Sequence, residues 1–97
     1  HPRPRRMPVT TATYRSLPVE IEISDPIDRD NRDAILAWID AGGYGAISLP
    51  DGPVAAMVVY TDSGHHDAQW GDRIAKGTLG EFYVMKPAVF DAKYEPA

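Results

Sequence analysis

Cysteine is absent from this 97-residue chain, so disulfides, thiolate metal ligands and cysteine nucleophiles are excluded. No apolar run in the sequence approaches the roughly 18–20 residues that a membrane-spanning helix needs. The N-terminus carries charge but has no apolar segment behind it, which is not the pattern of a secretory signal. These absences favour a soluble, cytoplasmic protein that does not insert into a membrane.

Basic charge is scarce over most of the sequence. From Met7 onward the chain has 7 basic and 14 acidic side chains. This balance argues against a protein that binds the backbone of nucleic acids, which needs a basic surface. The opening residues 1–6 are the exception, since they hold Arg3, Arg5 and Arg6. They have the composition of a tag remnant or frayed tail, and a basic arm that touches nucleic acid is the alternative.

Length and composition predict one folded domain. A chain of this size buries roughly 60–65% of its unfolded surface, enough for one small core. Its hydrophobic share of 43% is high enough to argue against disorder. Because residues up to Thr13 are rich in proline and threonine and lack periodicity, we expect a flexible lead-in over 1–13 and a single domain over 14–97.

Alternation of apolar and polar residues predicts the first strands. Val19, Ile21 and Ile23 alternate with two glutamates, as in a half-buried strand whose acids face water. A second strand is predicted from Tyr44 to Leu49. The apolar run from Val54 to Tyr60 predicts a central strand covered on both sides, paired with the second strand as a hairpin.

Helical spacing follows the first strand. Apolar residues recur at Ala34, Ile35, Trp38 and Ile39, after an acidic opening in which Asp28 or Asp30 is the expected N-cap. That acidic cluster also has the composition of a metal site, but capping already explains its carboxylates. The pattern therefore predicts one amphipathic helix.

The C-terminal third contains a hairpin and a short helix. Strands are predicted at 73–76 and 81–85 around Gly77 and Gly80, which we expect to supply positive φ angles. A helix is predicted over 87–94, with the aromatic side of Phe90 and Tyr94 closing the core. The sequence as a whole predicts an α+β fold. In this fold one amphipathic helix packs on a small antiparallel sheet of about five strands, and a short C-terminal helix follows.

The C-terminal stretch carries a recognisable pattern, GD-x-I-x-x-G-x-x-GEFY-x-x-KP-x-x-F-x-x-x-YE. It resembles a family of small phage and prophage proteins of unknown function. The first strand of that family also resembles the segment 14–22 of this sequence. The residues that match the pattern are Gly71, Asp72, Ile74, Gly77, Gly80, Glu81, Phe82, Tyr83, Lys86, Pro87, Phe90, Tyr94 and Glu95. The resemblance implies a phage origin and a compact α+β domain, but no reaction.

Three positions depart from that pattern. Trp70 stands where the family has proline, Met85 where it often has cysteine, and Ser24 near the place of an aromatic residue. The fold expected from the resemblance does not depend on these positions. The missing cysteine puts in doubt any function that would rely on it.

Possible chemistry gathers before the C-terminal hairpin. His65, His66 and Asp67, with Asp62 nearby, are residue types that bind metals, but adjacent side chains on an extended segment point apart. A polar loop over 61–66 that binds no metal is the preferred interpretation.

Two further motifs are weaker. Ser63 near a histidine would suit a nucleophile and its base, yet the sequence has no G-x-S-x-G motif. The two glycines at Gly77 and Gly80 would suit phosphate, but they lie between predicted strands and not at a helix start. A turn is therefore the preferred interpretation of these glycines.

Taken together, these motifs predict no catalytic, cofactor-binding or metal-binding residue and no enzyme activity. They predict a small phage-encoded accessory protein that binds a protein, either from the host or a second copy of itself, and not nucleic acid. The alternative is a domain that binds a small ligand, nucleotide or metal through the 62–72 loop region. The candidate interaction surface consists of Tyr44, Tyr60, His65, His66, Trp70 and Tyr83.

Overall fold

The computed structural model describes residues 12–13, 19–50 and 52–95. Most of the predicted lead-in over 1–13, and the segment 14–18, lie outside the described residues. Within them the chain forms two α-helices and six strands arranged in two antiparallel sheets, which confirms the α+β class. In chain order the elements are β1 (Glu22–Ile23), α1 (Arg32–Ala41), β2 (Ala46–Ser48), β3 (Ala55–Thr61), β4 (Gly64–Gln69), β5 (Arg73–Lys76), β6 (Phe82–Met85) and α2 (Pro87–Lys93).

The prediction of one sheet of about five strands is wrong. The strands form two three-stranded sheets, with the orders β1-β5-β6 and β2-β3-β4. The chain passes from the second sheet to the first through the turn at Gly71, whose φ is 90°. Both hairpins that the sequence predicts, β2–β3 and β5–β6, are present and antiparallel.

The additional strand is β4, in the segment that the sequence presents as a polar loop. Asp62 and Ser63 alone make the turn, and Thr61 already pairs with Gly64. His65 and His66 therefore lie on a strand, which corrects the predicted loop over 61–66. Because β4 is a sheet edge with most of its side chains exposed, it needs no alternation of apolar residues to form.

The central strand β3 has one buried face and one open face. Ala56, Met57 and Val59 are fully buried, whereas Tyr60 is 45% exposed and Val58 is half-buried. The expectation that both faces of this strand are covered is therefore wrong. A register shift between Ala55 and Met57 brings both Ala56 and Met57 into the core.

The helix α1 closes the buried face of the β2-β3-β4 sheet. Ile35 and Ile39 pack with Ile27 into the core cluster, as helical spacing predicts, while Ala34 is exposed. Phe82 of β6 joins the same cluster, and its ring meets that of Trp38 edge-on at 5.0 Å between centroids. One core thus unites the helix and both sheets.

The start of α1 is capped one turn earlier than the regular helix. The residue before the regular helix is Asn31, which makes no side-chain capping bond there, and the capping bonds are made one turn earlier by Asp28, one of the two predicted candidates. Asp28 accepts hydrogen bonds from the N–H groups of Asp30 and Asn31, both at 2.8 Å. Asn31 Oδ1 accepts one from the Asp28 N–H in return, so the two side chains form a reciprocal capping box.

The two glycines of the β5–β6 turn have different roles. Gly80 has a φ of 84°, which a residue with a side chain rarely adopts, but Gly77 does not have positive φ. A Cβ at Gly77 would instead meet the Glu81 carboxylate, which is the end of a flexible side chain. The expectation of positive φ at both glycines is thus correct for one of them.

The helix α2 forms as predicted but does not close the main core. Arg73, Ala75, Tyr83 and Met85 share one face of the β1-β5-β6 sheet by register, opposite the face of Ile74. α2 lies on that face, where the Arg73 guanidinium stacks on the Phe90 ring at 3.7 Å from its centroid. The contact with Arg73 shows that the aromatic side of α2 covers the back of this sheet. No residue of α2 is fully buried, and none belongs to the main core.

Candidate functional site

The structure divides the six predicted surface residues among three environments. Trp70 and Tyr44 are half-buried and held by interactions within the protein. His66 and Tyr83 line a cleft between the two sheets. Tyr60 lies on the open face of the β2-β3-β4 sheet, beside His65 on the neighbouring strand. The six residues therefore do not form one continuous surface.

Trp70 is half-buried and is held by contacts on its edge and on its face. Its Nε1–H donates to the carbonyl oxygen of Gly52 at 2.8 Å. The guanidinium groups of Arg29 and Arg32 lie over the ring at 4.8 and 5.2 Å from its centroid. Because both the polar edge and the face of the indole are engaged, Trp70 has a structural role that its sequence position does not reveal.

Tyr44 is held at the end of the β3–β4 hairpin. Its hydroxyl lies 3.1 Å from each carboxylate oxygen of Asp62, and its ring packs edge-on against Phe82. Partial burial, the hydrogen bond to Asp62 and the negative charges of Asp62 and Glu81 raise the pKa of Tyr44. The hydroxyl therefore stays protonated and ties the hairpin to the core.

A cleft of about 310 Å³ separates β4 from β6, and its lining residues are Thr61, Ser63, His66, Asp67, Tyr83, Val84 and Lys86. The predicted ligand region of 62–72 forms a tight turn, β4 and a second turn. Only Ser63, His66 and Asp67 of this region line the cleft. His65 and Asp72 are not among the lining residues.

Ser63 lies within hydrogen-bond distance of two side chains in the cleft. Thr61 donates its hydroxyl proton to the Gly64 carbonyl oxygen at 2.8 Å. Ser63 Oγ lies 3.1 Å from Thr61 Oγ1 and 3.0 Å from His66 Nε2. Because a serine hydroxyl has one proton, Ser63 donates to only one of these two neighbours at a time.

The cation at the edge of the cleft is already paired. Lys86 Nζ lies 2.7 Å from the Asp72 carboxylate, which is 96% buried and also accepts the Gln69 N–H at 2.8 Å. Asp72 thus links the end of β4 to the end of β6. The ion pair holds the two sheets together, because a buried carboxylate that loses its partner is costly.

Tyr83 borders the cleft, but the register of β6 points its side chain to the face that α2 covers, where it meets Tyr94. Partial burial, then a hydrogen bond to the Tyr94 hydroxyl, raises the pKa of Tyr83, and the charges of Tyr94 and Glu81 act in the same direction. Its ring therefore belongs to the contact between the sheet and α2.

The open face of the β2-β3-β4 sheet carries the largest exposed apolar side chains of this sheet. Pairing places Ile47, Val58 and Asp67 in one row across the three strands. Tyr60 lies one row further, next to His65, with 6.1 Å between the ring centroids. Ile47 is 51% exposed and Tyr60 45% exposed. No described helix or strand covers these side chains.

Ile47 and Val58 are the members of this face that the sequence interpretation missed. The alternation of exposed and buried positions along β3 places Val58 and Tyr60 on the same side. That signal is present in the run VAAMVVY, but a continuous apolar run conceals which side is covered. We call the four residues Ile47, Val58, Tyr60 and His65 the open-face patch.

Comparison of the chain with protein-family models, curated proteins and solved structures finds no match. Within the described residues, no three or more His, Asp or Glu side chains converge in a way that could hold a metal ion. A search of the same residues finds no helix long and apolar enough to cross a membrane.

Proposed function

We propose that this chain is a non-enzymatic protein-binding module whose docking site is the open-face patch. The observation that carries the proposal is the exposure of Ile47 and Tyr60 on a sheet face that no described element covers. Aromatic and aliphatic side chains at the centre of a patch are the usual anchors of protein interfaces. The partner presents an apolar centre to these two side chains.

The geometry of Tyr60 supports an anchor role. Its ring lies over Gly45, where a Cβ would be 3.2 Å from Tyr60 Cδ2, so the glycine leaves room for the ring. A ring that is already positioned loses little conformational freedom on binding. Tyr60 therefore presents a fixed apolar surface with a hydroxyl at its end.

Charge selects the partner. Asp67 lies in the same row as Ile47 and Val58, and the chain from Met7 onward has twice as many acidic as basic side chains. An acidic module is steered toward a basic surface, with an association rate that falls as salt increases. We therefore propose a partner whose apolar contact is bordered by Lys or Arg.

The biological setting is proposed from the C-terminal pattern. Its resemblance to small phage and prophage proteins suggests an accessory protein that acts on a host protein in the cytoplasm.

Affinity capture from bacterial lysate with matched variants tests this function. The double variant Ile47→Asp/Tyr60→Asp should lose a basic partner that the original chain retains, because it places charge in the patch. Leu79→Asp is the control, since Leu79 is 92% exposed in the β5–β6 turn. A partner retained equally by all three proteins would refute the proposed site. Concentration-dependent dimerisation that is lost in the double variant would show that the patch binds a second copy of this chain and not a basic partner.

A second candidate is a small ligand, such as a nucleotide or a metal ion, in the cleft between β4 and β6. The volume of about 310 Å³ and the presence of Ser63, His66 and Asp67 among the lining residues favour it. A ligand at a hundred times its dissociation constant adds about 2.7 kcal/mol of stability, which thermal unfolding detects. Unchanged unfolding with nucleotides and divalent ions would eliminate this candidate.

A further inference from the structure

A second groove lies beside α2, and none of its lining residues belongs to the open-face patch. It runs between α2 and the segment that leads into β1, and its volume is about 430 Å³. This volume falls in the range of about 300–1,000 Å³ that is typical of ligand pockets. Its apolar lining consists of Val19, Ile21, Ile23, Phe90 and Tyr94.

The strand beside this groove has a free edge. β1 pairs with β5 on one side, and no described strand pairs with it on the other. Ser24 N–H donates to the Ile74 carbonyl oxygen at 2.8 Å. Because hydrogen-bonded and non-bonded positions alternate along an antiparallel pair, Glu22 turns its backbone toward β5 and Ile23 turns its backbone outward. Backbone groups at the groove are thus available to another strand.

Side chains along this edge alternate in chemistry. Ile21 and Ile23 point to the face of α2, together with Arg73, while Glu22 points to the other face. Glu20 has the same parity as Glu22 along this extended segment, and it lies at the border of the groove, as Glu95 does. Arg73 is the cation there, and its guanidinium is engaged with the Ser24 carbonyl oxygen at 3.0 Å and the Phe90 ring.

We propose that an extended peptide with alternating apolar and basic residues binds here by adding a strand to β1. Its apolar side chains enter the groove beside Phe90 and Tyr94. Its Lys or Arg side chains lie opposite Glu20 and Glu22, where opposite charges on neighbouring strands stabilise the pairing. Main-chain hydrogen bonds to Ile23 give affinity, and the alternation gives specificity.

Charge argues against a second copy of this chain as the occupant. Pairing β1 with another β1 would bring the glutamates of the two copies to the same face, and like charges on neighbouring strands are destabilising. The same glutamates favour a basic strand. The groove is also separate from the open-face patch, so this proposal does not rest on the proposed function.

Fluorescence anisotropy with the full chain and a capped, labelled peptide of alternating lysine and valine tests the proposal. Binding should weaken about tenfold or more when Glu20→Lys and Glu22→Lys are combined, because two attractive contacts become repulsive. The matched control, Asp33→Lys with Asp40→Lys, changes two exposed acids of α1 and should leave the affinity unchanged. The Ile47→Asp/Tyr60→Asp variant should also bind the peptide normally.

Two N-methylated peptides test the strand geometry. Methylation of alternate residues removes either the N–H groups that face β1 or those that face away, so one peptide should lose binding and the other keep it. Equal binding of both peptides, no effect of the Glu20/Glu22 reversal, or no binding at concentrations up to about 1 mM would each overturn the proposal. Tighter binding by a peptide of residues 1–6 would overturn it too, by assigning the groove to the chain's own basic arm.

Discussion

Close contacts at single residues determine how the layers of this protein fit. Gly42 lies against the ring of Phe82, which is 1% exposed and packs edge-on against Trp38 and Tyr44. Gly77 lies against the Glu81 carboxylate, the end of a flexible side chain. The same substitution at the two glycines should therefore have different costs, because a buried ring cannot move and a carboxylate can.

Gly42→Ala should destabilise the protein by about 1–3 kcal/mol, the usual cost of overpacking a core. Its Cβ would lie 2.7 Å from Phe82 Cζ, and closer still to Cε2. Gly77→Ala should cost less, because the Glu81 side chain can rotate away. Urea unfolding of both variants provides the comparison. In a Phe82→Leu background, Gly42→Ala should cost less than it does in the original chain. Equal costs at the two glycines would contradict the steric explanation.

Tyr83 makes stability depend on pH in the alkaline range. Its folded pKa is raised above the ordinary value of 10.0, so the folded state keeps its proton after the unfolded chain has lost it. This stabilisation is complete below pH 10 and is lost as pH rises through the folded pKa. Urea unfolding between about pH 9 and pH 11 should show that Tyr83→Phe weakens the dependence. Identical pH profiles for the two proteins would contradict this assignment.

At the scale of elements, the strongest local signals in the sequence yield the expected structures. The spacing of Ile35 and Ile39 predicts α1, and Pro87 marks the start of α2. Exposed edge strands are harder to predict, because few of their side chains are buried and the sequence shows no alternation of apolar residues. His65 and His66 therefore have the composition of a loop although they belong to β4. Pairing with the neighbouring strand β3, across the two-residue turn at Asp62 and Ser63, makes this segment a strand.

The capping box at the start of α1 is an element-scale prediction. Asp28→Ala should lower stability by about 0.5–2 kcal/mol, because two N–H groups lose their acceptor. Asp30→Ala is the matched control, since it removes an acid next to the box and should cost less. Thermal unfolding measures both changes. If the two variants lose the same stability, general negative charge near the helix start, and not the specific bonds, is what matters.

For the whole molecule, Phe82 connects the parts. It belongs to β6, yet it packs with α1 and with the core of the other sheet. Phe82→Ala should cost about 3–5 kcal/mol, a large share of the roughly 5–10 kcal/mol of stability expected for a small domain. Circular dichroism should show a single transition at a much lower temperature. Leu79→Ala, at a site 92% exposed, should leave the transition unchanged.

The candidate surfaces also belong to the whole molecule. Tyr60 is a predicted surface residue that does lie on an open face, but Trp70 is fixed by Gly52 and two arginines. Ile47 and the groove beside Phe90 were not predicted, because each depends on which face of a strand remains uncovered. Aromatic composition identifies residues that are able to bind, and packing decides which of them are accessible.

The sequence by itself determined the α+β class, both helices, the two glycine-containing hairpins and the acidic body, because these depend on periodicity, turn residues and charge. Only the tertiary structure decided that there are two sheets, that β4 is a strand, and that α2 lies behind the β1-β5-β6 sheet. The two sheets and the place of α2 depend on pairing and packing between segments far apart in the chain, whereas β4 is a strand because it pairs with the neighbouring β3. Free edges and uncovered faces, on which both proposed binding sites depend, are properties of that same long-range arrangement.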